Sequence, residues 1–105
     1  MFARPQTADY LQQITDASLK TPTNTMVLLI LNTYAIESED RRPILAKVDR
    51  PVLYMARGGA RRQAEYVKKV LPNARVEIFE NAGHALFVDE PNRFNKLLGE
   101  FIAPL

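Results

Sequence analysis

One histidine, His84, is the residue of this 105-residue chain best suited to acid–base chemistry. It lies in the segment Glu-Asn-Ala-Gly-His-Ala-Leu-Phe-Val-Asp-Glu-Pro-Asn, residues 80–92. An imidazole titrates near neutral pH, so it can accept a proton from a hydroxyl group and later return it. His84 is therefore a candidate general base of a hydrolytic site. An ordinary loop histidine is the competing interpretation, and spacing alone favours it.

The elements on either side of His84 explain how it could be positioned. Residues 75–79 alternate in polarity and predict a strand, and residues 92–102 predict a helix. Gly83 permits a tight or positive-φ backbone between them. Ligands bind at the carboxyl ends of strands in open α/β sheets, so this loop is a plausible place for a site. The helix is apolar at positions i, i+3, i+4, i+7 and i+8, which are Phe94, Leu97, Leu98, Phe101 and Ile102.

A second strand and its connecting helix complete a βαβ unit. Residues 51–56 include four consecutive apolar side chains, Val52 to Met55, a pattern typical of a strand covered on both faces in a parallel sheet. Residues 60–71 predict a helix with Ala64, Val67, Val70 and Leu71 facing inward. The predicted fold class is α/β, with two parallel strands at 51–56 and 75–79.

The N-terminal part of the chain predicts helices only. Thr7 can cap a helix over 7–19, and Thr23 or Asn24 can cap a second helix over 24–35. Five consecutive apolar residues, 27–31, make the second helix apolar nearly all round, so we expect it to be buried on more than one side. Asp40 can cap a short helix over 41–47 after a charged connector.

The order of these motifs resembles the C-terminal part of an α/β-hydrolase of the esterase and haloperoxidase-like group. The resemblance rests on Pro-Val-Leu at 51–53, Gly-His at 83–84 and Glu-Pro at 90–91. It implies that His84 aligns with the catalytic base and that residues 49–105 form the C-terminal βαβα of that fold. Residues 1–48 would be cap-derived helices and a connector within a single domain, 1–105. Esterase, haloperoxidase-like, dehalogenase and epoxide hydrolase relatives share this pattern, so it does not specify a substrate.

The rest of a Ser-His-Asp site is missing from the sequence. Such enzymes place the nucleophile in a Gly-x-Ser-x-Gly elbow, whereas Ser18 and Ser38 have no flanking glycines. Ala60 stands about where the family's Asp is expected, and Asp89 and Glu90 are interpreted as charges that suit the start of the last helix. The predicted function is therefore a truncated ester-type hydrolase, inactive alone. The alternative is a non-catalytic oligomeric or binding module derived from a hydrolase.

Composition narrows the partners. The chain has no cysteine, a net charge of +2 and one histidine, so neither a cofactor nor a metal site is expected. A basic stretch is interpreted as a solvated helix face, with nucleic-acid binding as the less favoured alternative; its members are Arg57, Arg61, Arg62, Lys68 and Lys69. The longest apolar run, 26–31, is too short to cross a bilayer, and a signal peptide is not evident. We expect a cytoplasmic protein.

The missing half also predicts association. The strand at 51–56 would keep an unpaired apolar edge, and the helix at 24–35 would lack part of its cover. We therefore expect a homo-oligomer, most simply a twofold dimer joined through the strand edge or that helix. A separate N-terminal hydrolase half is the other predicted partner.

Overall fold

The computed structural model describes residues 1–37 and 40–105, and the chain divides into two units. The helical unit comprises Gln6–Pro43, and the sheet unit comprises Met1–Pro5 together with Ile44–Leu105. The first five residues thus belong with the last two thirds of the chain, which no sequence pattern indicated. The origin of the helical unit in a hydrolase cap stays a prediction.

The helical unit begins with two helices that follow the predicted ranges closely. Helix α1 spans Ala8–Leu19, and the side chain of Thr7 caps it by accepting a hydrogen bond from the Tyr10 amide. Helix α2 spans Thr23–Glu37, slightly longer than predicted. A third helix, α3, spans Arg42–Leu45 and begins where the Asp40 carboxylate accepts the Arg42 amide at 3.0 Å, as expected of a cap.

Helix α2 differs from the expectation of burial. Residues Met26 to Leu31 are each between 40% and 61% exposed. Within residues 6–34 and 40–43 of the helical unit, no residue is buried. The prediction that α2 is buried on more than one side is therefore wrong within this chain, because its apolar side chains point in every direction around the helix and remain accessible. No helix among the described residues is of a length and apolarity that would cross a bilayer.

The sheet unit contains two parallel strands, as predicted. Strand β1 spans Leu53–Arg57 and strand β2 spans Arg75–Phe79, paired in register from Leu53 with Arg75 to Arg57 with Phe79. A 3₁₀ turn at Gly58–Ala60 leads into helix α4, Arg61–Val70, which supplies the crossover that a parallel pair requires. The architecture is α/β.

Helices cover both faces of this small sheet. Ala56 faces α4, where Ala64 and Val67 are buried. On the other face Phe79 is fully buried in a cluster with Ala82 and Leu97. Leu97 belongs to the last helix, α6, which spans Pro91–Ile102 and includes the partly buried Phe94. The predicted inward stripe of α6 is correct at its centre, whereas Ile102 is 54% exposed at its end.

A short helix, α5 (Leu86–Asp89), lies between the His84 loop and α6. Four residues are too few to show a helical period in sequence, so this element was not predicted. It changes the surroundings of His84, because its last residue, Asp89, is buried.

Candidate functional site

His84 lies on the loop formed by residues 80–85, which connects β2 to α5, and its side chain is exposed. Its main-chain amide donates a 2.7 Å hydrogen bond to the carbonyl oxygen of Met1. The Ala85 amide lies 3.5 Å from the same oxygen. The N-terminal segment Met1–Arg4 therefore holds the backbone of the loop and leaves the imidazole accessible to a ligand or partner.

Gly83 is needed for close approach rather than for a special turn. No glycine among the described residues has positive φ, so of the two predicted alternatives for Gly83, a tight or a positive-φ backbone, the second is not used. A Cβ atom at this position would lie 2.4 Å from the Met1 carbonyl oxygen and 2.9 Å from the Ala3 nitrogen. A larger residue would therefore push the N-terminal segment away from the His84 loop.

Asp89 joins the same two segments from the other side. Its side chain is 1% exposed, and its Oδ2 accepts the amides of Gly83 at 2.7 Å and Ala3 at 2.8 Å. Its Oδ1 accepts the Arg4 amide at 3.0 Å. The carboxylate therefore bonds to backbone amides before α6, a role that the interpretation of Asp89 as a charge for the α6 dipole did not include.

The hydrogen bonds keep this buried carboxyl ionised. The Ala3 amide has the largest effect in lowering the pKa of Asp89 below its ordinary value of 3.8. Burial acts in the opposite direction, and the amides of Gly83 and Arg4 lower the pKa further. Asp89 therefore carries a full charge at neutral pH, balanced by directed N–H groups rather than by water.

The turn after β1 is where the resemblance to α/β-hydrolases places the acid. This turn contains Ala60 and no carboxylate, as predicted from the sequence. The acidic group next to it comes from Glu80, the first residue after β2. A Cβ atom on Gly58 would lie 2.7 Å from Glu80 Oε2, and the other carboxylate oxygen pairs with the Arg61 guanidinium. Within residues 1–37 and 40–105, neither carboxylate, Glu80 or Asp89, hydrogen bonds to the His84 imidazole.

The sheet unit, to which His84 belongs, contains no serine. Ser18 lies in α1, where its hydroxyl donates a 2.8 Å hydrogen bond to the Ile14 carbonyl. That bond to the preceding turn is an ordinary use of a helical serine. Ser38 lies outside the described residues.

A cavity of about 250 Å³ opens beside His84. It is lined by residues 54–57 of β1, Ala60, Gln63, Gly83, His84 and Leu86. In the described parts of the chain β1 pairs with β2 only, so its second edge keeps unpaired amides and carbonyls. Residues of β1 and of the His84 loop line the cavity together, so a peptide segment bound in it would contact both.

Two members of the basic stretch have partners inside the sheet unit. Arg61 pairs with Glu80, and the Lys68 ammonium donates a 2.7 Å hydrogen bond to the Ala74 carbonyl. These contacts give both cations local roles. The absence of nucleic-acid binding stays a prediction.

Comparison with known proteins gives one coarse relationship. A protein of Bacillus subtilis (strain 168), named "Putative 2-succinyl-6-hydroxy-2,4-cyclohexadiene-1-carboxylate synthase", is 41% identical to this chain over 39 residues. The match covers 37% of this chain and only 14% of the relative. Because that relative is an α/β-hydrolase family protein, the match supports a hydrolase-like relationship and nothing finer. No family model matches the chain, and no solved structure matches it.

Sequence reasoning missed Asp89 and Glu80 as neighbours of the loop. Asp89 follows an apolar run and lies four residues after Ala85, so a helical turn would bury both on one side. Glu80 comes immediately after β2, and the ends of parallel strands meet at one sheet edge. The signal for Asp89 can be used only if residues 86–89 are known to be helical. The signal for Glu80 can be used only if the register of the two strands is known.

Proposed function

We propose that this chain carries the histidine part of an ester-type α/β-hydrolase site, with His84 as the general base. The observation that carries the proposal is the position of His84 on a loop directly after β2, with its backbone hydrogen bonded and its imidazole accessible. The match to an α/β-hydrolase family protein and the order of the Pro-Val-Leu, Gly-His and Glu-Pro motifs support it.

In this proposal His84 takes the proton of a hydroxyl nucleophile and then delivers it to the leaving group. The nucleophile, the oxyanion-binding amides and the acid that orients the imidazole come from another polypeptide segment. The cavity at the free edge of β1 is the place where such a segment would reach His84. The 105 residues are accordingly expected to be inactive alone.

The substrate class is proposed only broadly. Relatives that share the Gly-His and Glu-Pro pattern act on different substrates, and the Bacillus relative is named as a carboxylate synthase. Substrate selection in such a site depends on residues that surround the nucleophile. An activated ester is therefore the natural probe for the proton-transfer step, because it needs little help from specific binding.

A chimera tests the role of His84 directly. Residues 49–105 of this chain, which include His84, replace the corresponding segment of the Bacillus relative, and the reaction for which the relative is named is assayed. We expect a folded, active chimera. We expect His84→Ala to lower its kcat by about 10² to 10⁴, the usual contribution of a positioned general base.

Asn81→Ala is the matched control, because Asn81 is an exposed residue of the same connection. It should leave the activity of the chimera within about twofold, as surface substitutions usually do. Equal rates for the His84→Ala chimera and the unchanged chimera would contradict the proposal.

A second candidate function, the non-catalytic module, is favoured by one observation. Residues 26–31 of α2 are largely exposed, and apolar surface of this kind on a soluble protein usually marks a contact with another chain. A folded chimera without activity, together with a stable oligomer of the native chain, would favour this second function.

A further inference from the structure

We infer that Asp89 is a positioning residue that fixes the backbone of His84 by binding the His84 loop and the N-terminal segment Met1–Arg4 to one carboxylate. Within the proposed function, Asp89 is the residue that sets the orientation of His84. The consequence of Asp89 for catalysis therefore rests on the proposed function. Asp89 is not proposed to touch substrate.

Two consecutive backbone amides, those of Gly83 and His84, are fixed by hydrogen bonds. The amide of Gly83, the residue immediately before His84, donates to Asp89 at 2.7 Å. The amide of His84 itself donates to the Met1 carbonyl at 2.7 Å. Asp89 also accepts the amides of Ala3 and Arg4, so the N-terminal segment that supplies the Met1 carbonyl is held by the same carboxylate.

A carboxylate suits this position better than any neutral side chain. It offers two oxygens that only accept hydrogen bonds, and three backbone amides point at them. An asparagine has nearly the same shape, but its NH₂ group would face one or more N–H donors. Since the site is buried, water could not readily replace the lost acceptor.

The close packing at Gly83 gives independent support. The N-terminal segment approaches so closely that a Cβ atom on Gly83 would collide with the Met1 carbonyl oxygen. The segment and the loop therefore meet with backbone against backbone, and Asp89 closes the contact with directed hydrogen bonds. A small change in the Asp89 carboxylate would move both segments and, with them, the Cα atom from which the His84 side chain extends.

Amide hydrogen exchange in the full-length ¹⁵N-labelled chain tests the inference. Asp89→Asn should speed exchange at Gly83, Ala3 and Arg4 by about tenfold or more, because each loses a charge-assisted acceptor. It should also shift the His84 amide and imidazole resonances. Asp49→Asn, the matched control, changes an exposed aspartate of the same unit and should alter none of these signals. Unchanged exchange at Gly83 in folded Asp89→Asn would overturn the inference.

An acid titration of the unmodified chain keeps the test decisive if Asp89→Asn does not fold. The amides of Gly83, Ala3 and Arg4 should shift together with one midpoint, since they bind one carboxylate. Arg4 is the charged group that also lowers the pKa of Asp89, so adding salt should raise that midpoint slightly. Three unrelated midpoints would overturn the inference. Neither readout requires hydrolysis, so a failure of the proposed function would be seen separately in the chimera.

Discussion

The sheet unit and the helical unit treat their apolar side chains in opposite ways. In the sheet unit Phe79, Ala64 and Leu97 are at most 8% exposed, and helices cover both faces of the strands. In the helical unit no residue of 6–34 or 40–43 is buried, and six consecutive apolar residues of α2 are at least 40% exposed. The first unit has a core of its own, whereas the second has apolar surface that its own residues leave uncovered.

The difference shows how far local pattern can specify structure in this chain. The helix periods of the sheet unit point to Ala64, Val67 and Leu97, which the structure buries, so pattern and packing agree in α4 and α6. In α2 the helical state is local and correct, but the apolar surface has no cover among the described residues. The candidate site around His84 therefore lies in the well-packed sheet unit. The expected association of chains is assigned to the exposed apolar surface of α2.

The largest expected effect is on stability, when a side chain is removed from the core of the sheet unit. Phe79→Ala should lower the free energy of unfolding by about 3–5 kcal/mol, because Phe79 is fully buried against Ala82 and Leu97. Denaturant unfolding followed by circular dichroism measures this change. Phe87→Ala is the matched control, since Phe87 is 58% exposed, and it should cost less than about 1.5 kcal/mol even with its edge contact to Phe94. Equal losses for both variants would contradict the account of the sheet unit, because they would show that burial does not determine the cost of losing a phenylalanine there.

The next effect concerns the exposed helix. The native chain should run as a dimer, with about twice the 11.9 kDa chain mass, in light scattering after gel filtration at micromolar concentration. Leu28→Lys with Leu31→Lys charges two α2 positions that are 59% and 60% exposed, and it should weaken association by about a hundredfold or more. A native chain that is monomeric at these concentrations would contradict the role given to α2. A dimer unchanged by both substitutions would direct attention to the free edge of β1 instead.

A smaller effect is the loss of stability in acid. The pKa of Asp89 is lowered on folding, chiefly by the Ala3 amide, so its contribution is fully present above its ordinary value of 3.8 and is lost as the pH falls below it. The melting temperature of the native chain should therefore decline as the pH falls below about 4. Asp89→Asn should melt lower at pH 6, and the gap should narrow in acid. A gap of constant size would mean that the charge of Asp89 does not stabilise the fold.

The smallest effect is at Asp40, an exposed counterpart in the helical unit. Its pKa is lowered to about 2, first by the side-chain hydrogen bond from Arg42 and then by the Arg42 amide. Its contribution is likewise complete above 3.8 and lost as the pH falls through about 2, but its side chain is 53% exposed. Asp40→Asn should change the melting temperature by less than about 1 °C, as is usual for an exposed ion pair. A loss as large as that of Asp89→Asn would show that burial does not distinguish the two sites.

Much of the fold could be predicted from sequence, and less of the site. The strands, α4 and α6 follow from periodicity, and the cap at Thr7 follows from its side-chain chemistry. Helix α5 is shorter than one period of such a pattern, and the hydrogen bonds of Asp89 span more than eighty positions along the chain. Contacts of that range depend on how two distant segments pack, so the composition of neither segment reveals them.

The central claim, that this chain has the base of a hydrolase site without its nucleophile, is tested most directly by p-nitrophenyl acetate hydrolysis with the chain alone. We predict a rate no greater than that of an equal concentration of free imidazole, with no burst of p-nitrophenol. Saturable hydrolysis with a burst that His84→Ala abolishes would contradict the claim, because it would require a nucleophile already paired with His84 in this chain.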